Sequence, residues 1–598
     1  MKKSKRLRPA EPGGPPQGAP GKVAPRRKFA WWPWAAAVAS LFMAFEIYGP
    51  ALNGKFVLDD LYLPYGDPRL QGLSFLQWII GSRPMLMASY WLNHQLTGDE
   101  PYAYHVTNVV LHFLVSVIVA LIAMRLVEWA GGKPGGTAGM AGQRPAPLVG
   151  IFAGALFLVH PMQTESVAYV ASRSETLSVL FYYAAFCVFL YRRTESISWP
   201  RALAVMALFG AAVATKQHTL TLPLLLLLTD LYWAHGPAHG SNWGSIRANR
   251  LLYILLGVTG VCGAWFVWTG LRSANTAGFH VAGMTPLDYF FTECRVVWTY
   301  VRMFVLPFGQ NADPEVAISR SPLDSGAIVA LAAWVAVVAA AWIYRKRWPL
   351  ASFGVFVYLL LIAPTSSVIP ISEPLQERRL YLPFLGLALV CLEFLRRLDW
   401  KQRVAIEVPV LIVMAALTYQ RSAVWGSEMA LWTDTVAKSP KKVRPRFQLA
   451  QVYFDQKNFA EAAENYEIAE RLAPPDYRLL VNYGLALDSA GHYQEALAKL
   501  QQAAALEYDP EVWTLIAQVY GQQHKTDEAF KALRRAEAIN PAFEMTYAIR
   551  GNVYESLGNM ESAAEQYRRA LQIDPYNDAV RQALERVQQA IKDGANRR

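Results

Sequence analysis

Between residues 29 and 424 the chain is a near-continuous series of apolar stretches, and this constrains the fold more than any other feature. That region holds 27 basic and 21 acidic residues, so only about 12% of it is charged. A bilayer core is crossed by ~20 apolar residues in a helix, and inside it every backbone polar group must be satisfied within the protein. The stretches run from Trp31 to Leu52 and then roughly over 105–126, 147–160, 176–192, 200–216, 218–234, 251–270, 324–344, 350–368, 380–397 and 404–420. A twelfth stretch, 286–307, carries Asp288, Glu293, Arg295 and Arg302 at helical spacing. Cytoplasmic loops collect Lys and Arg, and this rule decides its role. If 286–307 does not cross, eleven spans remain. The basic clusters then fall together on the inner side: Arg125, Lys133 and Arg144; Arg192, Arg193 and Arg201; Arg247 and Arg250; Arg345 to Arg347; Arg396, Arg397, Lys401 and Arg403. If it crosses, the last two clusters move outside. The reading is therefore eleven spans, with 286–307 an amphipathic helix on the outer surface.

The charge is unevenly distributed. Of the formal +11, a net +8 lies in residues 1–28, a Pro-, Gly-, Lys- and Arg-rich tail with too little apolar surface to order itself. Such a tail stays in the cytoplasm, and an odd span count puts everything after Arg421 outside. The basic balance thus reports orientation. It is not the basic face of a nucleic-acid-binding domain. The four cysteines are far apart and show neither metal-ligand spacing nor a disulfide framework.

Residues 425–598 are different: about 26% charged, net −3, and periodic. Tyr453, Leu487, Tyr520 and Tyr554 recur every 33 or 34 residues. Small residues follow each at fixed offsets: Ala462, Ala496, Ala529 and Ala563, then Ala469, Ala503, Ala536 and Ala570. Pro474, Pro541 and Pro575 close three of the repeats. This is the tetratricopeptide pattern, in which small side chains let two antiparallel helices pack closely. It predicts an α-solenoid of four repeats over about 443–576, preceded by a half repeat and capped by a polar helix from Asp578. The recurring tyrosines are assigned to its core, and its concave face to a protein partner. The fold class is all-α: a polytopic membrane domain at 29–424 followed by the solenoid at 425–598.

Unusual polar residues collect in the loops assigned to the outer side. FVLDD (56–60) puts Asp59 and Asp60 just beyond the first span. RPMLMASYWLNHQLTG (83–98) begins at Arg83, and YHVTNVVLH (104–112) opens the second span. HPMQTESVAYVASRSE (160–175) supplies His160, Glu165, Arg173 and Glu175. A turn bears Lys216, and QERRLYLP (376–383) supplies Arg378 and Arg379. A carboxylate can serve as base for a hydroxyl acceptor, and arginines suit a phosphate leaving group. Adjacent acids leave Mg2+ or Mn2+ binding at Asp59 and Asp60 open, although no ligand cage is visible.

In this order, these motifs and the terminal repeats resemble the transmembrane and tetratricopeptide-repeat O-mannosyltransferase family, in a bacterial-type member. The resemblance runs from about residue 31 to the end. It implies a GT-C class polytopic glycosyltransferase that moves a sugar, mannose or another hexose, from a polyprenyl-phosphate donor to Ser or Thr hydroxyls of a protein bound by the solenoid. Carried onto this sequence, Asp59 or Asp60 becomes the base. Arg378, Arg379 and Lys216 become the phosphate ligands. Arg83, His160, Glu165, Arg173 and Glu175 line the site. The implied setting is the cell inner membrane, with the solenoid periplasmic. One departure is that an acid follows the turn lysine in the family pattern, whereas Gln217 follows Lys216 here. The alternative is a membrane-anchored scaffold for envelope or pilus assembly. It predicts scattered, solvated polar residues, where the enzyme predicts that they converge.

Overall fold

The computed structural model describes residues 32–63, 72–131, 146–192, 196–233, 243–272 and 276–596. The basic tail at 1–28, and Lys133, Arg144 and Arg193 from the inner clusters, lie outside the described residues. Among those described there are helices and no strand, with one isolated antiparallel bridge from Ala277 to Ile371.

Each of the eleven apolar stretches contains a helix, but the expectation of eleven full-length spans needs correction. Five helices among the described residues are long and apolar enough to cross a bilayer: Ala35–Leu52, Pro101–Gly131, Arg250–Leu271, Asp324–Ile343 and Trp400–Val424. A sixth is added if Pro147–Val159 and Pro161–Ala168, bent by 53°, form one broken span. Trp199–Val213, Pro349–Ile362 and Phe384–Leu395 are shorter. At 1.5 Å per residue, helices of that size reach only ~18–22 Å, against a core of about 30 Å. Polar 3-10 turns bound two of them: Gln217–Thr221 follows Trp199–Val213, and Glu377–Leu380 precedes Phe384–Leu395. Pro161–Gln163 and Val170–Ser172 likewise flank Thr164–Ala168. Non-helical backbone of this kind is tolerated at membrane depth only where protein encloses it, and these are the segments that carry the candidate residues. Pro286–Val305 is a 20-residue helix outside the set of candidate spans.

Small residues bring the short helices together. A Cβ on Gly354 would lie 2.5 Å from the Gly386 carbonyl oxygen, and one on Gly386 would lie 2.4 Å from the Tyr358 nitrogen. The two backbones touch there, the kind of approach that drives helix association where lipid is as apolar as the side chains. At one end of the bundle the basic residues pair with buried carboxylates and with backbone carbonyls. Arg192 pairs with the buried Asp230, and Glu393 receives Arg396 at 2.7 Å and Arg397. The polar 3-10 turns lie at the other end.

That other end meets the solenoid. Glu428–Lys438 leads into four helix pairs, beginning Val443–Asp455 with Phe459–Leu472 and ending Glu544–Ser556 with Met560–Ile573, before the capping helix Asp578–Asn596. All eight repeat alanines are buried. Tyr453, Tyr520 and Tyr554 pack against the repeat cores, and Leu487 lies inside one. The junction is polar and specific. Ser439 Oγ accepts from Asn311 Nδ2 at 2.7 Å and donates to the Asp313 carbonyl at 2.9 Å. Asp313 itself receives Lys442, and Arg444 Nε at 2.7 Å.

Candidate functional site

The first loop separates its two carboxylates. Leu58–Tyr62 is a 3-10 helix whose short pitch turns neighbouring side chains to different sides. Asp60 is fully buried. Its Oδ2 accepts from the Val57 amide at 3.1 Å and its Oδ1 from the Ala171 amide at 2.6 Å, which ties the first loop to the 170–172 turn. Burial pushes its pKa up to about 7 and the charge of Asp59 adds to this. The two amide hydrogen bonds and the charge of Arg173 act in the opposite direction. Asp59 is exposed, and its backbone amide donates to Tyr169 Oη at 2.9 Å. Of the pair, only Asp59 has a carboxylate open to a ligand. Both Asp60 oxygens hold backbone amides, so the two acids do not form a ready-made chelate. No group of three His, Cys, Asp or Glu side chains that could hold a metal occurs among the described residues.

The two adjacent arginines divide in the same way. Arg378 meets Glu165 twice, through its backbone amide at 3.0 Å and Nη1 at 2.9 Å, and its guanidinium lies over the Tyr169 ring at 5.7 Å. Burial alone would lower its pKa. The negative charge of Glu165, with Glu175 and Asp59 further off, outweighs that and raises it. Arg379 turns toward the Pro286–Val305 helix. It donates to the carbonyls of Pro374 (2.6 Å), Glu373 (2.5 Å) and Thr365 (3.4 Å), and reaches Glu293 at 3.9 Å.

Lys216 pairs with Glu175, and His218 Nε2 lies 3.6 Å from the other oxygen of that carboxylate. Burial brings Lys216 down to about 8. Glu175 opposes this, while the positive charges of Arg83 and Arg378 reinforce it. Three cations therefore share one neighbourhood. Arg83, exposed at the start of Pro84–Thr97, is held there because the Met85 amide donates to the Ala214 carbonyl at 3.2 Å. The carboxylate beside the turn lysine comes from Glu175, not from the residue after it. His218 is held down to about 4 by burial and is neutral.

Arg173 and His160 are tied to protein groups. Arg173 is fully buried. It donates to Asn108 and Asn93 side chains at 2.9 Å each and to the Tyr104 carbonyl at 3.0 Å, with its charge over the Tyr90 ring at 4.5 Å. His160 accepts the Met162 amide at Nδ1 (3.2 Å) and donates from Nε2 to the Phe304 carbonyl (2.9 Å), which assigns the neutral Nε2–H tautomer. Its ring stacks on Phe304.

Asp59, Arg378, Glu165, Glu175, Lys216 and Arg83 thus share one electrostatic neighbourhood at the solenoid end of the helical domain. Asp60, Arg173, His160 and Arg379 brace it. Residues not foreseen from the sequence complete it. Tyr169 is 2% exposed and is the hub between Asp59 and Arg378, with Trp425 stacked on it at 5.8 Å. Glu377 accepts the Asn311 amide at 2.5 Å and faces Arg421 at 3.5 Å. Burial pushes it up to about 7. Both Tyr169 and Glu377 stood inside quoted motifs, but nothing in a motif read as a unit singles out one of its residues.

This arrangement defines an all-α protein with membrane-type apolar helices, whose polar turns form a mixed-charge site beside a repeat solenoid. Comparison with known proteins agrees. A tetratricopeptide-repeat family model matches residues 447–511 and 514–578. The chain is similar in sequence to several curated protein O-mannosyl-transferases. It is 22% identical over 459 residues to protein O-mannosyl-transferase F38B6.6 of Caenorhabditis elegans, covering 71% of this chain and 61% of that one. It is 23% identical over 552 residues to protein O-mannosyl-transferase TMTC3 of Mus musculus, covering 83% and 57%. The chain thus spans about three fifths of the length of these curated relatives. Among solved structures, MamA aligns over 25% of this chain and 89% of its own, at 22% identity and a TM-score of 0.22.

Proposed function

We propose that this protein is a membrane glycosyltransferase of the GT-C class that transfers mannose from a polyprenyl-phosphate donor to Ser or Thr hydroxyls of a protein held by the solenoid. The observation that carries this reading is an exposed carboxylate, Asp59, in the same neighbourhood as the three cations Arg83, Lys216 and Arg378. Asp59 takes the proton of the acceptor hydroxyl. The oxygen attacks the anomeric carbon from the face opposite the phosphate, the sugar–phosphate C–O bond breaks, and the configuration inverts. Arg378 and Lys216, with Arg83, stabilise the negative charge that builds on the departing polyprenyl phosphate. Their partners Glu165 and Glu175 hold them in place before the donor arrives. The activity for which these relatives are named supports protein O-mannosylation, and the site lies on the solenoid side, where an acceptor bound by the repeats gains effective concentration. The reading places the protein in the inner membrane with the solenoid in the periplasm.

The test is purified full-length protein in lipid nanodiscs, supplied with polyprenyl-phosphate mannose and periplasmic protein, and read by mass spectrometry for hexose on Ser or Thr. Wild type is expected to add hexose. The Asp59→Asn variant is expected to add hexose slower by about 100-fold or more while inserting normally. Transfer at the wild-type rate in Asp59→Asn would overturn the assignment.

A further inference from the structure

The residue before the two acids, Leu58, has φ +54°, a left-handed conformation that residues with a Cβ rarely adopt. A leucine is retained there because its side chain is used elsewhere. It packs into a cluster formed by the first helices of the solenoid, with Trp432, Val436, Leu449 and Val452. It also packs against the cluster of Val57, Tyr169, Trp425 and Leu431 that joins the helical domain to the same solenoid helix, while Asp60, two residues on, binds the Ala171 amide. A second path from the same junction reaches the loop. Trp425 stacks on Tyr169, and the Tyr169 hydroxyl accepts the Asp59 amide. The junction itself is tight: a Cβ on Gly426 would lie 2.6 Å from the Pro50 carbonyl oxygen.

We infer that the first repeat helices of the solenoid form part of the wall that holds Asp59, with Leu58 as the positioning residue that couples them. This rests on the proposed transfer reaction for its catalytic meaning, but the mechanical coupling can be measured without it. The strained backbone at Leu58 persists only while the surroundings over-determine it, and the Trp432 cluster, with Leu431 beside it, is the part of those surroundings that the solenoid supplies. If the cluster loosens, the loop relaxes toward ordinary φ and carries Asp59 with it. An acceptor that bends or shifts the first repeat then acts on the base directly as well as by proximity.

The experiment uses the full chain in nanodiscs and compares Trp432→Ala, Leu58→Gly and Leu58→Met with wild type and with Tyr508→Ala, a change at an exposed solenoid position. Hydrogen exchange is read at the amides of residues 57–63. Glycine accepts the left-handed backbone but removes the anchor, so both Trp432→Ala and Leu58→Gly are expected to speed exchange there at least tenfold. Leu58→Met and Tyr508→Ala are expected to leave it near wild type. In the mannose-transfer assay Leu58→Gly is expected to lower kcat at least tenfold with donor KM unchanged, and Leu58→Met to restore it. Loop exchange unchanged in both Trp432→Ala and Leu58→Gly would overturn the coupling, whatever the transfer assay gives. Should wild type transfer no sugar while the exchange responds as expected, the coupling stands and the transfer reading fails.

Discussion

The sharpest consequence of the site is that Asp59 and Asp60, adjacent and chemically identical, should fail in different ways. Asp60 accepts two backbone amides at 3.1 and 2.6 Å in a fully buried position. Asparagine keeps one acceptor oxygen and turns an NH2 group toward the second amide. One hydrogen bond to a charged group is lost, worth about 1.5–3 kcal/mol, and a buried donor is left unmet at about 1–3 kcal/mol. Part of this is returned, because burial already disfavours the Asp60 charge and raises its pKa to about 7. The expected net loss for Asp60→Asn is about 2–3 kcal/mol, felt locally between the 57–62 and 170–172 turns. A loss of 2 kcal/mol speeds amide exchange there roughly 30-fold. Asp59→Asn removes an exposed carboxylate and is expected to change stability by less than about 0.5 kcal/mol, while loss of a general base lowers transfer by about 100-fold or more. The assay pairs exchange at Val57 and Ala171 with single-turnover transfer for each variant. The reasoning is refuted if Asp60→Asn leaves both amides protected, or if Asp59→Asn transfers at the wild-type rate. A sign check on pH sharpens the test. The unfolded chain loses the Asp60 proton near 3.8 and the folded one near 7, so the folded state binds more protons between these values. The Asp60 contribution to stability therefore falls as pH rises through that window, and Asp60→Asn is expected to flatten this part of the pH dependence of Tm.

Two further predictions follow from the cations. Lys216 is held down to about 8, so transfer is expected to decline as pH rises through 8, as the ammonium needed by the phosphate is lost. Lys216→Arg keeps the charge and should move that alkaline limb upward by more than one pH unit in a kcat profile; a limb that stays at 8 would assign it to another group. Folding carries the opposite sign: the unfolded lysine holds its proton up to its ordinary 10.5, so the Lys216 contribution to stability rises between 8 and 10.5. Arg379 donates to three loop carbonyls, a planar fork that lysine cannot reproduce. Arg379→Lys is expected to cost about 2–4 kcal/mol by differential scanning calorimetry and to lower transfer only as far as folded protein is lost, with donor KM unchanged. A selective rise in donor KM would make Arg379 a phosphate ligand after all.

What was legible in the sequence, and what was not, follows from the physics of each signal. Burial in lipid or in a solenoid core acts on many residues at once, so it leaves a pattern. The eleven apolar stretches each contain a helix, and the recurring alanines of the repeats are all buried. Helix length was harder to read, because the interrupting turns at Lys216, His160 and Arg378 are bounded by apolar residues on both sides and shift the mean hydropathy of a stretch very little. The site was legible as a set of motifs and illegible as a set of roles. Asp59 and Asp60 differ only in which way a 3-10 turn points them. Arg378 and Arg379 differ only in whether Glu165 or the carbonyls of 365–374 are in reach. In both pairs one member is exposed to the neighbourhood of charges and the other braces the loop that presents it. A charge-lined site at the end of an apolar bundle has this requirement built in: the loops cannot rely on a hydrophobic core of their own, so buried ionic groups fix them, and each functional charge needs a structural one beside it. Doubled motifs such as DD and RR are the sequence trace of that pairing. The order within each pair is set by contacts made across 111 residues for Asp60 and 213 for Arg378, which is why no local reading could assign it.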